Sequence, residues 1–298
     1  MELTGLHLLL TYQCTSECDH CFLWGSPRQK GTMSLETIHE ILHQAQDIKS
    51  IESIYFEGGE PFLYYPILLK GIKEAVKYGY KVGIVSNGYW ATSEKDTMEW
   101  LKPLKGFIQN ISISCDSYHG DEIQNSKNRN IRKACKKLNI PLGFITIAQP
   151  GEMNQYLESG KLPDGKGEIM YRGRASKNLV DKAKLYPWST FTKCPYEDLM
   201  NPGRVHIDPL GNLHLCQGII IGNLFKKPLK EISSHFHPES DPVIGPLLKR
   251  GPVGLCEEYQ FPHLEKYADA CHLCYETRVY LRSKFSEILT PDQVYGVI

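Results

Sequence analysis

The sequence lacks two features that would direct a chain to a nucleic acid or a membrane. Its 34 basic and 34 acidic side chains cancel, so there is no net charge to attract a polyanion. No apolar stretch approaches the roughly 20 residues that a membrane-spanning helix needs, and the start, Met-Glu-Leu-Thr-Gly, is not a basic and apolar signal segment. We therefore expect a cytoplasmic protein that binds neither membrane nor nucleic acid.

The chain also lacks internal repeats and low-complexity tracts, which argues against a repeat array or a disordered protein. Its 298 residues can form one large domain, or a main domain with an appendage. A content of 41% hydrophobic and 23% charged residues is ordinary for a soluble enzyme. What the chain does have is cysteine, and ten cysteines in a cytoplasmic protein favour metal binding over disulfides.

Three of the cysteines stand close together after the first apolar segment. Cys14, Cys18 and Cys21 have the spacing C-x3-C-x2-C, so their thiolates can converge on one soft metal centre. An iron–sulfur cube has four irons, and three protein ligands leave one iron open to bind and reduce another molecule. The alternative is a zinc site in which His20 is the fourth ligand.

The first part of the chain alternates short apolar runs with amphipathic segments, the pattern of repeated βα units. Ser34 is a predicted N-cap, because apolar residues recur after it at helical spacing up to Ile48. Strands are predicted at 6–11, 51–56, 81–86, 110–114, 142–147 and 168–171, and helices at 35–48, 65–78, 93–101 and 121–138. Six consecutive βα units imply a parallel sheet with right-handed crossovers.

Polar side chains follow the predicted strands at their carboxyl ends. They are Cys14, Glu60, Asn87, Asp116 and Arg172. Chemistry gathers at the carboxyl ends of the strands in parallel α/β folds, because these ends meet on one side of the sheet or barrel. The sequence therefore predicts one site that contains all five residues.

The pattern of the sequence changes after residue 187. A hairpin is predicted from strands at 205–208 and 213–216 with Gly211 and Asn212 in its turn, followed by helices at 229–235, 243–249 and 275–289. The remaining cysteines of interest lie in this segment: Cys194, Cys216, Cys256, Cys271 and Cys274. We expect two domains, residues 1–187 and 188–298.

The residues of the cysteine loop resemble the signature of the radical S-adenosylmethionine (SAM) superfamily, C-x3-C-x-aromatic-C, with His20 at the aromatic position. The resemblance implies an α/β fold, a partial (β/α)6 TIM-like barrel. It also implies that Cys14, Cys18 and Cys21 hold a [4Fe–4S] cluster whose open iron binds SAM. One electron then cleaves SAM, and the 5′-deoxyadenosyl radical abstracts hydrogen from a substrate.

The resemblance also assigns residues to SAM binding. Gly58-Gly59-Glu60-Pro61 is similar to the GGE motif of the family, in which Glu60 would accept a hydrogen bond from the SAM ammonium. The other residues assigned to SAM or its surroundings are His20, Asn87, Ser114, Asp116 and Arg172. Asn87 precedes Gly88, so a simple turn is an equal alternative for it, and Arg172 suits a carboxylate of SAM or of substrate.

The C-terminal segment resembles a SPASM or twitch domain, the auxiliary-cluster extension of this superfamily, and implies a small α+β domain. The resemblance implies one auxiliary [4Fe–4S] cluster with Cys194, Cys216, Cys271 and Cys274 as ligands and Cys256 as a spare or a substitute. A full SPASM domain has seven cysteines, whereas five are present here. Zinc remains an alternative, because a closed four-thiolate site suits it.

Enzymes with such extensions act mostly on peptides, so the leading hypothesis is modification or oxidation of a peptide or protein side chain, as in the maturation of ribosomally made peptides. A reductant such as flavodoxin or ferredoxin would supply the electron. One alternative is a radical SAM enzyme that acts on a small molecule in cofactor or natural-product biosynthesis. The other is a protein without catalytic activity that binds zinc or an iron–sulfur cluster.

Overall fold

The computed structural model describes residues 1–119, 121–159 and 166–297. Its centre is an eight-stranded sheet with the order β5-β4-β3-β2-β1-β7-β8-β9. The strands of this sheet are β1 (Gly5–Thr11), β2 (Ser53–Gly58), β3 (Lys81–Ser86), β4 (Asn110–Ser114), β5 (Leu142–Ile145), β7 (Arg204–Ile207), β8 (Asn212–Cys216) and β9 (Ile219–Asn223). The short strands β6 (Tyr186–Pro187) and β10 (Lys266–Tyr267) form a separate antiparallel pair.

Strands β1 to β5 run parallel to one another, and a helix follows each of them in the chain. The helices are α1 (Leu35–Ala45), α2 (Tyr65–Lys77), α3 (Glu94–Leu101), α4 (Asp121–Leu138), α5 (Pro150–Ser159), α6 (Ala175–Asn178), α7 (Leu229–Ser234), α8 (Ile244–Glu258) and α9 (Ala270–Leu281). No helix within the described ranges combines the length and the apolar character that crossing a membrane requires.

Successive side chains of β1 point to opposite faces of the sheet, one of which packs on helices and the other on the C-terminal segment. Leu6, Leu8 and Leu10 are fully buried in the cluster that contains the apolar residues of α1 and α2. Leu9 points the other way and belongs to a second cluster with Tyr12 and residues of the C-terminal segment. A strand that is buried on both faces reads as a continuous apolar run, which is why β1 could be recognised in the sequence.

The predicted strand at 168–171 is wrong. Residues 168–171 belong to no strand, and the pairing next to them is one isolated bridge between Ile147 and Gly167. Ile169 and Tyr171 have the alternation of a strand, but their side chains fill a small cluster with Ala148, and their backbone joins no ladder. The sixth parallel strand is instead β7, which lies on the other side of β1 from β2.

Two predicted helices differ from the structure. The predicted helix at 275–289 begins earlier, as α9, because the side chain of Asp269 caps it by accepting a hydrogen bond of 2.7 Å from the backbone N–H of His272. It also ends earlier, at Leu281. The helix predicted at 243–249 continues to Glu258, past a kink at which Gly251 has a φ of 58°.

The hairpin of the C-terminal segment belongs to the same sheet as the first five strands. Strand β7 pairs with β1 in parallel, and β8 and β9 follow in antiparallel order. The division of the chain after residue 187 stays a prediction. In the structure, a continuous backbone ladder connects the sequence on either side of it.

Candidate active site and metal centres

A cavity of about 270 Å³ opens at the carboxyl ends of the parallel strands. It brings together most of the residues that the sequence assigns to the site, namely Cys14, Cys18, His20, Cys21, Gly58, Gly59, Asn87, Ser114 and Arg172. Glu60 and Asp116 lie behind its wall, and His119, which the sequence analysis did not select, lines it. Of the five strand-end residues of the prediction, Cys14, Asn87 and Arg172 line the cavity, whereas Glu60 and Asp116 do not. Their common role as one site stays a prediction.

The three cysteines of the first site lie on the loop that follows β1. The N–H of Cys14 donates to the carbonyl of Ser26, and the N–H of Cys21 donates to the carbonyl of Cys18, both at 3.0 Å. Cys14 and Cys18 are buried, and burial raises the pKa of the Cys14 thiol to about 12. Without a cation the thiol of Cys14 stays neutral at physiological pH, so a metal must supply the charge that turns it into a thiolate ligand.

Gly58 and Gly59 are required by the packing of β2 against the cysteine loop. The N–H of Gly59 donates to the carbonyl of Thr11 at 2.7 Å. A Cβ at Gly59 would lie 2.1 Å from the carbonyl oxygen of Gln13, and Gly58 has a φ of 129°. The glycine pair therefore holds the start of the cysteine loop at the edge of the cavity, and both glycines also face the cavity.

Glu60 is fully buried, and its carboxylate is held by the protein. It accepts hydrogen bonds from the backbone N–H groups of Phe62 and Asn87, at 3.1 and 2.7 Å, and from the hydroxyl of Ser86, at 2.9 Å. Burial raises the pKa of Glu60 to about 7, and these hydrogen bonds favour its ionised form. The side chain thus fastens the loop after β3 to the end of β2, and Glu60 as a ligand of the SAM ammonium stays a prediction.

Asn87 connects the loop after β3 to the cysteine loop. Its side-chain amide donates to the hydroxyl of Thr15 at 2.9 Å and approaches the sulfur of Cys14 at 3.5 Å. Its side-chain oxygen accepts from the N–H of Tyr89 at 3.0 Å. The turn that the sequence offered for Asn87 is thus present, together with a contact with the cysteine loop, and a contact of Asn87 with SAM stays a prediction.

Asp116 acts on the cavity through a histidine. Its carboxylate lies 2.7 Å from Nδ1 of His119, and His119 faces the cavity. The ring of His20 packs on that of Tyr118, with centroids 4.4 Å apart, and 5.7 Å from that of His119. The signal for His119 in the sequence was its position three residues after Asp116, directly after a strand. This spacing is too common in proteins to identify a functional histidine by itself.

The segment that follows residue 170 clamps the cysteine loop. The guanidinium of Arg174 donates to the carbonyls of Cys18 and Gly25, at 2.8 and 2.9 Å, and its backbone N–H donates to the carbonyl of Cys21. A Cβ at Gly173 would lie 2.5 Å from the Cα of Phe22. The predicted strand here is therefore replaced by an extended segment that fits the loop closely.

Arg172 lies between the first cavity and a second group of cysteines. Its guanidinium donates to the sulfur of Cys216 at 2.9 Å and lies 3.7 Å from the carboxylate of Glu197. The cation also lies over the ring of Phe22, 5.4 Å from the centroid. The predicted contact with SAM or substrate stays a prediction, and the structure adds a contact with the second cysteine group.

The second group surrounds a small cavity of about 30 Å³. Cys194, Cys216, Cys271 and Cys274 all line it, together with Arg172 and Arg278. Cys216 lies at the end of β8, whereas Cys271 and Cys274 lie one turn apart on α9. Cys256 lies elsewhere, in an apolar cluster with Val253 and Leu273, where its sulfur is 3.1 Å from the hydroxyl of Thr277.

Arg278 is a buried cation that lines the second cavity. Its side chain is 1% exposed, it donates to the carbonyl of Gln217 at 2.7 Å, and it forms no ion pair with a carboxylate in the described part of the chain. The guanidinium also lies over the rings of Tyr275 and Tyr295, 5.5 and 5.9 Å from their centroids. Negative charge in the cavity would stabilise this buried cation further, and four thiolates around a divalent centre would supply two negative charges.

These features define an α/β protein with a reactive three-cysteine site at the strand ends and a four-cysteine site beside it. Residues 8–158, about half of the chain, match the model of the Radical SAM superfamily. The chain belongs to the radical SAM superfamily, as the sequence analysis predicted. Proteins of this superfamily use a [4Fe–4S] cluster and SAM.

Two curated relatives come from Bacillus subtilis (strain 168). YydG, named as a peptide biosynthesis protein, is 33% identical over 130 residues, which are 43% of this chain and 40% of YydG. AlbA, the antilisterial bacteriocin subtilosin biosynthesis protein, is 28% identical over 133 residues, 44% of this chain and 29% of AlbA. The matched region thus spans less than half of each relative.

The fold is shared with a solved structure, native anSMEcpe with bound AdoMet. The two chains superpose with a TM-score of 0.52 over 95% of this chain and 98% of that chain, at 13% sequence identity. An identity this low shows a common fold alone. Together with the parallel sheet, it confirms the predicted partial TIM-like barrel.

Replacing Arg174 with glutamine should loosen the cysteine loop. The change removes two charge-assisted hydrogen bonds, each worth roughly 1.5–3 kcal/mol, and leaves two carbonyls without that donor. We expect less iron per chain after anaerobic reconstitution and a lower midpoint of urea unfolding. Arg28→Gln is the matched control, because Arg28 lies on the same loop but is exposed, and its ion pair is with the side chain of Glu17 rather than with a loop carbonyl. Equal iron contents in the two variants would contradict the clamp.

Proposed function

We propose that this chain is a radical SAM enzyme that reductively cleaves S-adenosylmethionine and abstracts hydrogen from a peptide or protein side chain. One observation carries the proposal. Cys14, Cys18 and Cys21, which follow β1, line a single cavity with Gly58 and Gly59 at the end of β2, Asn87 after β3 and Ser114 at the end of β4. A site that only held structure would not need a cavity lined from four strand ends.

The residues of the first site fit a [4Fe–4S] cluster held by three thiolates. When bound, such a cluster would supply the electron that cleaves SAM, and a reductant such as flavodoxin or ferredoxin would renew that electron. The protein positions the ligands: Arg174 fixes the loop carbonyls, and Asn87 lies against Cys14. The mostly apolar wall, with Leu9 and Ile147, excludes water from a reactive species.

The spacing of the sulfurs supports clusters over single zinc ions. Two thiolates on one zinc ion lie roughly 3.8 Å apart, since zinc–sulfur bonds of about 2.3 Å point to the corners of a tetrahedron. Among the described residues, no three cysteine sulfurs lie within 4.8 Å of one another. An iron–sulfur cube spreads its thiolates more widely than a single ion does.

The second site fits an auxiliary cluster that faces the same cavity through Arg172. Four cysteines meet there, and the cations of Arg172 and Arg278 balance the charge of four thiolates around a divalent centre. Arg172 lines both cavities, which supports the proposal that an auxiliary centre in the second would be adjacent to SAM and substrate in the first. An electron released by a product radical could be accepted at this centre.

The peptide as substrate class is supported by the two relatives, whose names refer to peptide and bacteriocin biosynthesis. The similarity covers 130 residues for YydG and 133 residues for AlbA, which is less than half of this chain in each case. A small molecule of cofactor or natural-product biosynthesis is the competing substrate class, and the third experiment below distinguishes the two.

The first experiment tests SAM cleavage. Anaerobically reconstituted protein with dithionite should convert SAM to 5′-deoxyadenosine, measured by liquid chromatography and mass spectrometry. Cys18→Ala removes a cluster ligand and should abolish the product, whereas Cys256→Ala, outside both cysteine cavities, should retain it. If wild-type protein with its full iron content leaves SAM intact, the chain is a metal-binding protein and the enzyme proposal fails.

The second experiment tests the auxiliary centre. Cys274→Ala should lower the iron content and the auxiliary signal in electron paramagnetic resonance, yet SAM cleavage should continue, because the first site keeps its three ligands. Cys256→Ala should keep the full iron content. Two results would refute an auxiliary iron–sulfur cluster. One is an iron content that Cys274→Ala leaves unchanged, and the other is wild-type protein that holds zinc instead of iron at the second site.

The third experiment tests the substrate class. Short peptides encoded beside the gene are incubated with active enzyme, SAM and reductant, and are analysed by mass spectrometry. Loss of two hydrogens from a peptide side chain, accompanied by one 5′-deoxyadenosine, supports the proposal. If 5′-deoxyadenosine forms but no peptide changes mass, the same assay is run with a metabolite extract. A metabolite whose mass changes in that assay shows that the substrate is a small molecule.

A further inference from the structure

Three side chains inside the barrel form a cluster that neither cysteine site uses. They are His7 on β1, Glu57 on β2 and His206 on β7. One potential ligand atom from each residue lies within 4.8 Å of the other two, and no other such group exists among the described residues. The cluster lies below the first cavity, because Glu57 is part of that cavity's lining.

The strand register places these residues together. His7 and His206 are direct partners across the parallel pair β1–β7, with ring centroids 5.1 Å apart. Glu57 pairs with Leu9, two positions beyond His7, so its side chain points to the same face as that of His7. Three strands thus present two imidazoles and one carboxylate at one point of the interior.

Two of the three distances in the cluster match those between ligands of one metal ion, and the third, between the two histidine nitrogens, is within 4.8 Å. Nδ1 of His7 lies 3.2 Å from Oε1 of Glu57, and Nε2 of His206 lies 3.0 Å from the same oxygen. Ligand atoms bound at about 2.1 Å and separated by roughly right-angled to tetrahedral angles are about 3.0–3.4 Å apart. The cluster can therefore receive an ion with little movement of the strands.

The surroundings hold the ligands in place. The ring of Tyr55 stacks on His7 with centroids 4.9 Å apart and an angle of 15°, and the amide of Asn110 donates to the Tyr55 hydroxyl at 3.0 Å. His206 is 6% exposed. Two imidazoles and a carboxylate are the donor set of many zinc and iron(II) sites, which leave further positions open.

We propose that His7, Glu57 and His206 form a third metal site, which binds one divalent transition-metal ion, with zinc as the ion to test. The ion ties β7 to β1 and β2, and its open coordination positions are reached from the first cavity past Glu57. The three residues of this site differ from the cysteine ligands of the other two sites, although Glu57 also lines the first cavity. The competing interpretation is a hydrogen-bonded His–Glu–His triad that binds no ion.

The test uses cluster-reconstituted protein that is stripped with a mild chelator and then dialysed anaerobically against zinc. We expect one zinc per chain in addition to the iron. X-ray absorption at the zinc edge should show nitrogen and oxygen neighbours at about 2.0–2.2 Å and no sulfur. No retained zinc, or a sulfur shell at about 2.3 Å, overturns the proposal, because sulfur would place the zinc at the cysteines.

Variants locate the ion within the chain. His206→Gln and His7→Gln should each weaken zinc binding by at least about tenfold, since even the loss of an outer-shell partner costs about 10–100-fold. His39→Gln is the matched control, because His39 also contacts a carboxylate, Glu74, but is exposed on a helix. Iron content shows that each variant is folded. Zinc affinity that is equal in all variants refutes the site even where the absorption spectrum shows nitrogen ligands.

Discussion

The contact between Arg174 and the carbonyls of the cysteine loop is the constraint on which both groups of cysteines depend. A loop with three metal ligands has few side chains of its own to spare for structure, so its shape must be imposed by neighbours. Arg174 supplies two donors from one side, and the backbone at Gly59 and Glu60 supplies two more from the other. Because Arg172 is two residues away, the same segment also reaches the second group of cysteines.

Buried positive charge gives the four-cysteine cavity its chemical character. Arg278 has no carboxylate partner in the described residues, and the guanidinium of Arg172 contacts a cysteine sulfur more closely than it contacts Glu197. Nearby positive charge favours the more negative, reduced form of a centre. An auxiliary centre held here is therefore suited to accept an electron from the adjacent cavity.

The sequence predicted the parts of the fold and site that local patterns encode. The five first strands, the cysteine loop and the strand-end residues followed from apolar runs and spacing. The addition of β7 beside β1 was not predictable, because the hairpin at 205–216 has the same local pattern whichever strand it joins. His7 and His206 became partners only through that pairing. The hydrogen bonds that Glu60 accepts from Ser86, Phe62 and Asn87 were not predictable either, because nothing in its motif reveals them.

The pairing of β7 with β1 has a consequence for how the chain can be divided. Strand β1 has neighbours on both sides, and its leucines are buried. A fragment cut after residue 187 would keep the match to the family but would expose the edge of β1 that β7 covers at residues 5–8, with unpaired amides and carbonyls beside an apolar surface. Such an edge invites pairing between molecules. The C-terminal segment thus also covers an edge of β1 that would otherwise be open to pairing with another molecule.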